Sequence, residues 1–270
     1  MKKIFVYLIA CAIVPFIITS CNKEGGNGET QGKIIKNAVK DKDGNKYDAV
    51  KIGDQVWMAE NLRTTKYADG TSIPMGESGS KGSGKRYYPG GKASNVEKYG
   101  YLYDWEAVMH GQASSESTPS GVQGICPKGW HVPSEAEWQD MINYVAYQIE
   151  TGELQNTTVA KALASTEGWE VSSSSGTPGF VPSANNSTGF SAVPAGEYFF
   201  GYNQFHEYVN DYGLFGRGAI FWSATMKGES RHSAEYRFIL YDYKSVTYNY
   251  DRFSNFGGNT DGYSVRCLRD

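Results

Sequence analysis

Several short stretches rich in apolar residues are bounded by turn signals, a pattern typical of β-strands. The first stretches lie at residues 34–40, 47–52 and 55–62. Asp43-Gly44 and Gly53-Asp54 stand between them as turn signals. The pattern predicts two linked β-hairpins at the start of the folded region.

A helical period of 3.6 residues dominates the middle of the chain. Ser134 followed by Glu137 forms a capping box, and Thr151-Gly152 ends the pattern. The apolar positions of this helix are Trp138, Met141, Ile142, Val145 and Ile149. A short helix is predicted at 101–109, and another that includes 159–164. We interpret Glu135 and Glu137 as acids favoured by the helix dipole, with a catalytic role as the alternative.

Aromatic and β-branched residues fill the last third of the chain and predict strands at 190–198, 219–225, 235–243, 245–250 and 263–269. In the last of these, Tyr263, Val265 and Cys267 alternate with Ser264 and Arg266, which predicts a single buried face. Early helices followed by antiparallel strands indicate an α+β fold with two main helices and long irregular loops.

The N-terminus has the features of an exported lipoprotein. Two lysines precede an apolar run at 4–18, which is too short to span a membrane, and Ile18-Thr19-Ser20-Cys21 is similar to a bacterial lipobox. We predict a signal peptide at 1–20, a lipidated flexible tether at 21–33 and one domain at 34–270. Acyl chains on Cys21 would anchor the protein at the outer membrane or cell surface. The alternative is an ordinary signal peptide with a chance cysteine.

Composition narrows the classes of partner. Hydrophobic residues make up 40% and charged residues 20%, as in a folded protein, and the 32 glycines and 20 tyrosines favour a structure rich in loops. The net charge of −3 provides no basic field for nucleic acid. We therefore predict no nucleic-acid partner; the lipid anchor predicts a membrane partner, and the long polar loops suit a glycan or protein ligand.

Cysteine usage predicts one disulfide. Cys11 leaves with the signal peptide and Cys21 receives lipid, so Cys126 and Cys267 remain in a compartment that favours oxidation. Two free buried thiols are the alternative.

The sequence offers little for catalysis. It lacks a Gly-x-Ser-x-Gly motif, and its histidines do not form a pair with metal-ligand spacing: His110, His131, His206 and His232. His131 is expected to pack or to hydrogen-bond. We predict no enzyme, no cofactor and no metal site.

Six ordered blocks together resemble a known family. They are 53–62 (GDQVWMAENL), 100–105 (GYLYDW), 126–138 (CPKGWHVPSEAEW), 189–196 (GFSAVPAG), 221–225 (FWSAT) and 264–267 (SVRC). In this order they resemble the Fibrobacter succinogenes major paralogous domain of bacterial surface lipoproteins. The resemblance implies a C-type-lectin-like fold, shared with the formylglycine-generating enzymes, but no activity. The calcium-ligand triplets of lectins are not matched, since Trp222-Ser223-Ala224 lacks their amide and carboxylate groups.

These observations lead to an expected function. We predict a lipid-anchored, non-catalytic recognition or adhesion module; the alternatives are a structural or accessory subunit of a surface assembly and, less favoured, an enzyme of the formylglycine-generating type. The candidate ligand contacts are loop amides and tyrosines, Asn185, Asn186, Tyr198, Tyr202 and Tyr208. The alternative role of these tyrosines is to pack the loops. The sequence leaves open the ligand, the membrane leaflet and the oligomeric state.

Overall fold

The structure is a computed structural model that describes residues 32–76, 83–202, 208–228, 234–248 and 259–270. Within these ranges the strands are β1 Ile34–Lys40, β2 Lys46–Ile52, β3 Gln55–Met58, β4 Arg86–Tyr87, β5 Leu102–Tyr103, β6 Trp130–His131, β7 Glu197–Tyr202, β8 Tyr208–Gly213, β9 Gly218–Met226, β10 Ala234–Leu240, β11 Thr247–Tyr248 and β12 Leu268–Arg269. The helices are α1 Val96–Tyr99, α2 Trp105–Met109, α3 Glu135–Glu150 and α4 Val159–Leu163.

The beginning and the end of the domain lie side by side in one sheet. Its strand order is β1-β2-β3-β12-β6, and every pairing is antiparallel. The two predicted hairpins are confirmed. The third strand ends at Met58 rather than at 62, because the chain turns there and brings Asn61 to a buried arginine of the last segment.

Alternate residues of this sheet face two separate hydrophobic cores. Ala49 and Met58 belong to one cluster, whereas Val50 and Trp57 belong to the other. Consecutive apolar residues of one strand therefore point to opposite faces, and the sheet separates the two cores.

The later strands form smaller antiparallel sheets with the orders β11-β10-β9 and β7-β8, and β4 pairs with β5. The predicted strand at 190–198 is wrong in extent, because regular pairing begins only at Glu197. Ser191 has a φ of 59° and Pro194 lacks an N–H, so residues 190–195 cannot continue a ladder. The strand β8 has no counterpart among the predicted elements.

The predicted long helix is α3, and its capping box is confirmed. The Ser134 hydroxyl accepts from the Glu137 N–H at 3.2 Å, and the Glu137 carboxylate accepts from the Ser134 N–H at 2.9 Å. Asp104 caps α2 in the same manner, accepting from the Ala107 N–H at 2.8 Å. Both caps satisfy N–H groups that a helix start leaves without partners.

The last segment departs from its predicted strand. Regular pairing is limited to β12, and Ser264 and Arg266, predicted on the exposed face, are completely buried. The Arg266 guanidinium donates to Asn61 Oδ1 at 2.7 Å, to the carbonyls of Met58 and Phe190 at 2.9 and 2.6 Å, and to the Ser191 carbonyl at 2.8 Å. These bonds allow a charged side chain to occupy the interior.

Aromatic rings enclose the Arg266 guanidinium. Its central carbon lies 4.7 Å from the Phe190 ring centroid and 5.7 Å from that of Phe221. Both rings contact Trp138, which packs on Trp57 with centroids 4.6 Å apart. Burial lowers the pKa of Arg266 to about 9, so the side chain remains a cation at neutral pH.

A disulfide joins Cys126 to Cys267, as the cysteine count predicts, with their Cα atoms 5.9 Å apart. The two cysteines are 141 positions apart in sequence, and a cross-link over so long a loop contributes about 5 kcal/mol in the chain-entropy treatment. The fold is thus mixed α+β with mostly antiparallel sheets. In the part of the chain that the structure describes, none of the helices is both long and apolar enough to cross a membrane.

We expect Arg266→Met to lower the free energy of unfolding by about 3 kcal/mol or more, because several buried oxygens lose their donor. Arg266→Lys should also destabilise, since an ammonium cannot match a planar fork of donors. Chemical denaturation measures both. Arg217→Met, at an exposed ion pair with Glu170, is the control and should unfold close to wild type. Wild-type stability of both Arg266 variants would contradict the assignment.

Candidate functional site

A cleft of about 390 Å³ opens where strand β6 meets the end of β12. We call it the His131 cleft. The loop before β6 and the two strand ends line it with Pro119, Gly121, Gln123, Lys128, Gly129, Trp130, His131 and Asp270. The volume lies within the range of about 300–1,000 Å³ that is typical of ligand pockets.

The loop that forms the cleft is fixed at several points. The disulfide ties Cys126 to the segment before β12. The Ser120 hydroxyl donates to the Val132 carbonyl at 2.6 Å, and the Asp270 N–H donates to the Gly129 carbonyl at 3.1 Å. The cleft is therefore preformed, which reduces the entropy lost when a ligand binds.

His131 lies between two carboxylates. Its Nε2 is 2.9 Å from Glu137 Oε1, and its Nδ1 is 2.7 Å from Asp270 Oδ1. The second Glu137 oxygen accepts from the N–H groups of Ser134 and Ser120 at 2.9 and 3.2 Å. Glu137 is thus held from several sides, whereas the Asp270 side chain is 60% exposed.

This arrangement stabilises the charged form of the imidazole. Burial alone would lower the pKa of His131, but the hydrogen bonds and charges of Glu137 and Asp270 outweigh it and raise the pKa above 6.5. Because both nitrogens face carboxylates, both donate in the charged state. His131 therefore has no free lone pair to act as a base in this state.

The other groups lining the cleft are suited to polar recognition. Lys128 is exposed, and Gln123 is half-buried and donates to the Cys126 carbonyl at 3.3 Å. Around Gly121 and Gly129, a Cβ atom would meet nothing within 4 Å. The lining of the cleft thus combines a cation, an amide, open backbone and a tryptophan.

The family model of the Fibrobacter succinogenes major domain matches residues 50–269. The chain belongs to this family. The search of curated proteins and the search of solved structures each returned no match. The family match agrees with the resemblance carried by the six sequence blocks.

In this family member, the signature blocks mainly build the interior. Asn61, Phe190 and Arg266 come from three different blocks and meet in one hydrogen-bonded and aromatic cluster. The block at 126–138 differs, because it supplies Cys126, Trp130 and His131 to the disulfide and the cleft.

The two candidate asparagines lie in a loop that surrounds Lys161. Asn185 is only 8% exposed; its Oδ1 accepts from Lys161 Nζ at 2.7 Å, and its Nδ2 donates to the carbonyls of Ser165 and Pro178. Asn186 is half-buried and accepts from the Ser191 N–H at 2.8 Å. Asn185 therefore holds the loop together and presents no free amide to a ligand, contrary to its predicted role.

The candidate tyrosines belong to the β7–β8 hairpin. Tyr198 is 1% exposed and stacks on Tyr87 with ring centroids 3.9 Å apart. This burial agrees with the alternative that the tyrosine packs a loop and makes it unsuitable as a surface contact. The side chains of Tyr202 and Tyr208 lie outside the described part of the structure, and their role stays a prediction.

The other residues considered for chemistry are dispersed. Glu135 pairs with Arg237, and His110 stacks on Tyr67 at 3.6 Å. Burial raises the pKa of Glu197, at the start of β7, to about 7. Among the described residues there is no group of three or more His, Cys, Asp or Glu side chains arranged to hold a metal ion. Cys21, His206 and His232 lie outside the described ranges.

The sequence interpretation missed most of the cleft. His131 was expected to hydrogen-bond, which it does, but the cleft around it and its link to Asp270 span 139 positions. The polar loop before Cys126 and the Trp130-His131 pair were the available signals. These local signals could not show that β12 pairs with β6.

The contribution of His131 to stability should depend on pH. Its pKa is raised in the folded state, so this contribution is complete below about pH 6.5 and is lost as the pH rises through the higher folded value. Each unit of the raised pKa corresponds to about 1.4 kcal/mol. Denaturation of wild type between pH 6 and 9 should show this decline, and His131→Gln should remove it. If the free energy of unfolding fell with pH equally in both proteins, the stabilisation of the His131 imidazolium by Glu137 and Asp270 would be contradicted.

Proposed function

We propose that this protein is a non-catalytic recognition module, anchored at the cell surface through lipid on Cys21, that binds a glycan in the His131 cleft. The observation that supports this proposal best is the cleft itself, which is preformed, open and lined by hydrogen-bonding groups beside an aromatic ring. Sugars are bound by polar groups together with ring faces or edges, and a rigid loop site suits them.

The chemistry of the cleft favours binding over turnover. His131 is engaged at both nitrogens, and the nearby Cys126 sulfur is part of a disulfide rather than a thiolate. A nucleophile requires an adjacent base with a free lone pair. The positions of these groups support a binding role.

The lipid anchor rests on the sequence alone. The lipobox-like Ile18-Thr19-Ser20-Cys21 and the polar, glycine-rich residues after it support a tether that separates the domain from the bilayer. Surface attachment is consistent with a disulfide between Cys126 and Cys267, since such bonds persist in oxidising compartments.

We also propose that the α+β fold is C-type-lectin-like. The pairing of β3 with β12 at the two ends of the domain, the helices between them and the later β9–β10 sheet support this assignment. Superposition of an experimental structure on domains of that fold tests it.

We expect the detergent-solubilised protein to bind a subset of sugars on a glycan array, and Gly121→Asn to weaken that binding about tenfold or more. Asparagine tolerates the φ of 70° at this position, and its side chain meets no atom of the protein near the Cβ. The matched control is Gly152→Asn, at an equally open turn with a φ of 81° after α3. It should bind like wild type.

Two results would contradict glycan binding in this cleft. One is a blank array for wild type, and the other is equal binding by both glycine variants. Co-purification of wild type with a fixed envelope protein, together with a blank array, would favour the structural or accessory role instead.

Replacing Cys21 by Ser should release the protein from membranes into the soluble fraction, because the acyl chains would have no sulfur to join. Fractionation and intact-mass measurement of the membrane-bound wild type test this expectation. Retention of the Cys21→Ser variant in membranes would refute the lipid anchor.

A further inference from the structure

We propose that the His131 cleft recognises the carboxylate of an acidic sugar, and that Asp270 occupies the position of this carboxylate in the free protein. The inference rests on the proposed glycan-binding function and specifies its ligand class. It follows from the geometry of three charged side chains, His131, Asp270 and Lys128.

The donor for the carboxylate is the Nδ1–H of His131. Glu137 holds Nε2 from the protein side at 2.9 Å and is itself fixed by two backbone N–H groups. The imidazole therefore keeps a charged partner whether or not Asp270 is present. A buried cation that lines a cleft attracts an anion more strongly than a cation in bulk water does.

Asp270 shows that a carboxylate fits this donor. Its Oδ1 lies 2.7 Å from His131 Nδ1, a normal distance for a charge-assisted hydrogen bond. The side chain is nevertheless 60% exposed, and the backbone of Asp270 is held independently by its N–H bond to Gly129. The carboxylate can therefore rotate away from His131 while the backbone pairing stays intact.

The remaining charge in the lining is positive. Lys128 is exposed at the cleft, and among the described lining residues Asp270 is the one acidic side chain. With Asp270 turned outward, the Nδ1–H of His131, whose charge is paired with Glu137 on the other side of the ring, and the Lys128 ammonium face a ligand. This charge favours a uronic acid over a neutral hexose of the same shape.

Asp270 competes with such a ligand, because its backbone is fixed beside His131 and its carboxylate loses little entropy on contacting the imidazole. Wild type should therefore bind a free carboxylate weakly. Removing the Asp270 side chain should increase the affinity, whereas removing the Lys128 charge should reduce it.

The experiment uses the full chain in detergent at pH 6, which is below the raised pKa of His131 in wild type. Sodium glucuronate, glucose and sodium acetate are titrated while the His131 ring nitrogens are followed by NMR, with calorimetry for affinity. We expect Asp270→Ala to bind glucuronate about tenfold more tightly than wild type and to prefer it over glucose. Adding Lys128→Ala to the Asp270→Ala variant should lower its affinity for glucuronate several-fold. Unchanged backbone spectra establish that the variants are folded.

The outcomes separate the inference from the proposed function. Equal binding of glucose and glucuronate by Asp270→Ala would overturn the carboxylate assignment and leave glycan binding in place. A His131 response to acetate without binding of either sugar would support the carboxylate position but contradict the glycan function. Glucuronate affinity unchanged by Asp270→Ala would overturn the competition by Asp270.

Discussion

The fold depends on the buried guanidinium of Arg266, whose N–H groups donate to uncharged amide and carbonyl oxygens. The hydrogen bonds of Arg266 reach the end of β3, the side chain of Asn61 and the carbonyls at 190–191. Removing a cation from water is costly, and only a nearly complete set of oriented acceptors offsets that cost. These segments must therefore be assembled together, and an arrangement lacking one of them leaves a buried donor unsatisfied.

This constraint gives a physical meaning to the family signature. Asn61 also donates to the Tyr99 carbonyl and to the Ser264 hydroxyl, so one amide joins the segment after β3, the helix α1 and the last segment. The aromatic members of the other blocks, Phe190 and Phe221, cover the guanidinium. In this chain, these blocks therefore mainly build the interior of the domain.

Local patterns predicted local structure well. The hairpins, the capped helix α3 and the strands β9 and β10 follow from local residue patterns and turn chemistry that operate within a few residues. The alternation at 263–267 gave the wrong exposure for Ser264 and Arg266, because polar partners far away in sequence satisfy them inside the protein.

The site was harder to predict for the same reason. Asn185 and Tyr198 have residue types common in ligand contacts, but a buried lysine and a stacked ring hold them inside. The cleft depends on β12 pairing with β6 and on a carboxylate contacting His131 across most of the chain. Residue type alone does not encode such a juxtaposition, which only the completed sheet provides.

The order of the five-stranded sheet also determines how a mechanical load would cross the domain. Tension between Ile34, where β1 begins, and His131 in β6 runs laterally through β1, β2, β3, β12 and β6. The last step in this path is short, since only two residue pairs join β12 to β6. The Cys126–Cys267 bond lies beside that step and bridges it covalently. A pull that opened those few hydrogen bonds would therefore leave the two segments attached to each other.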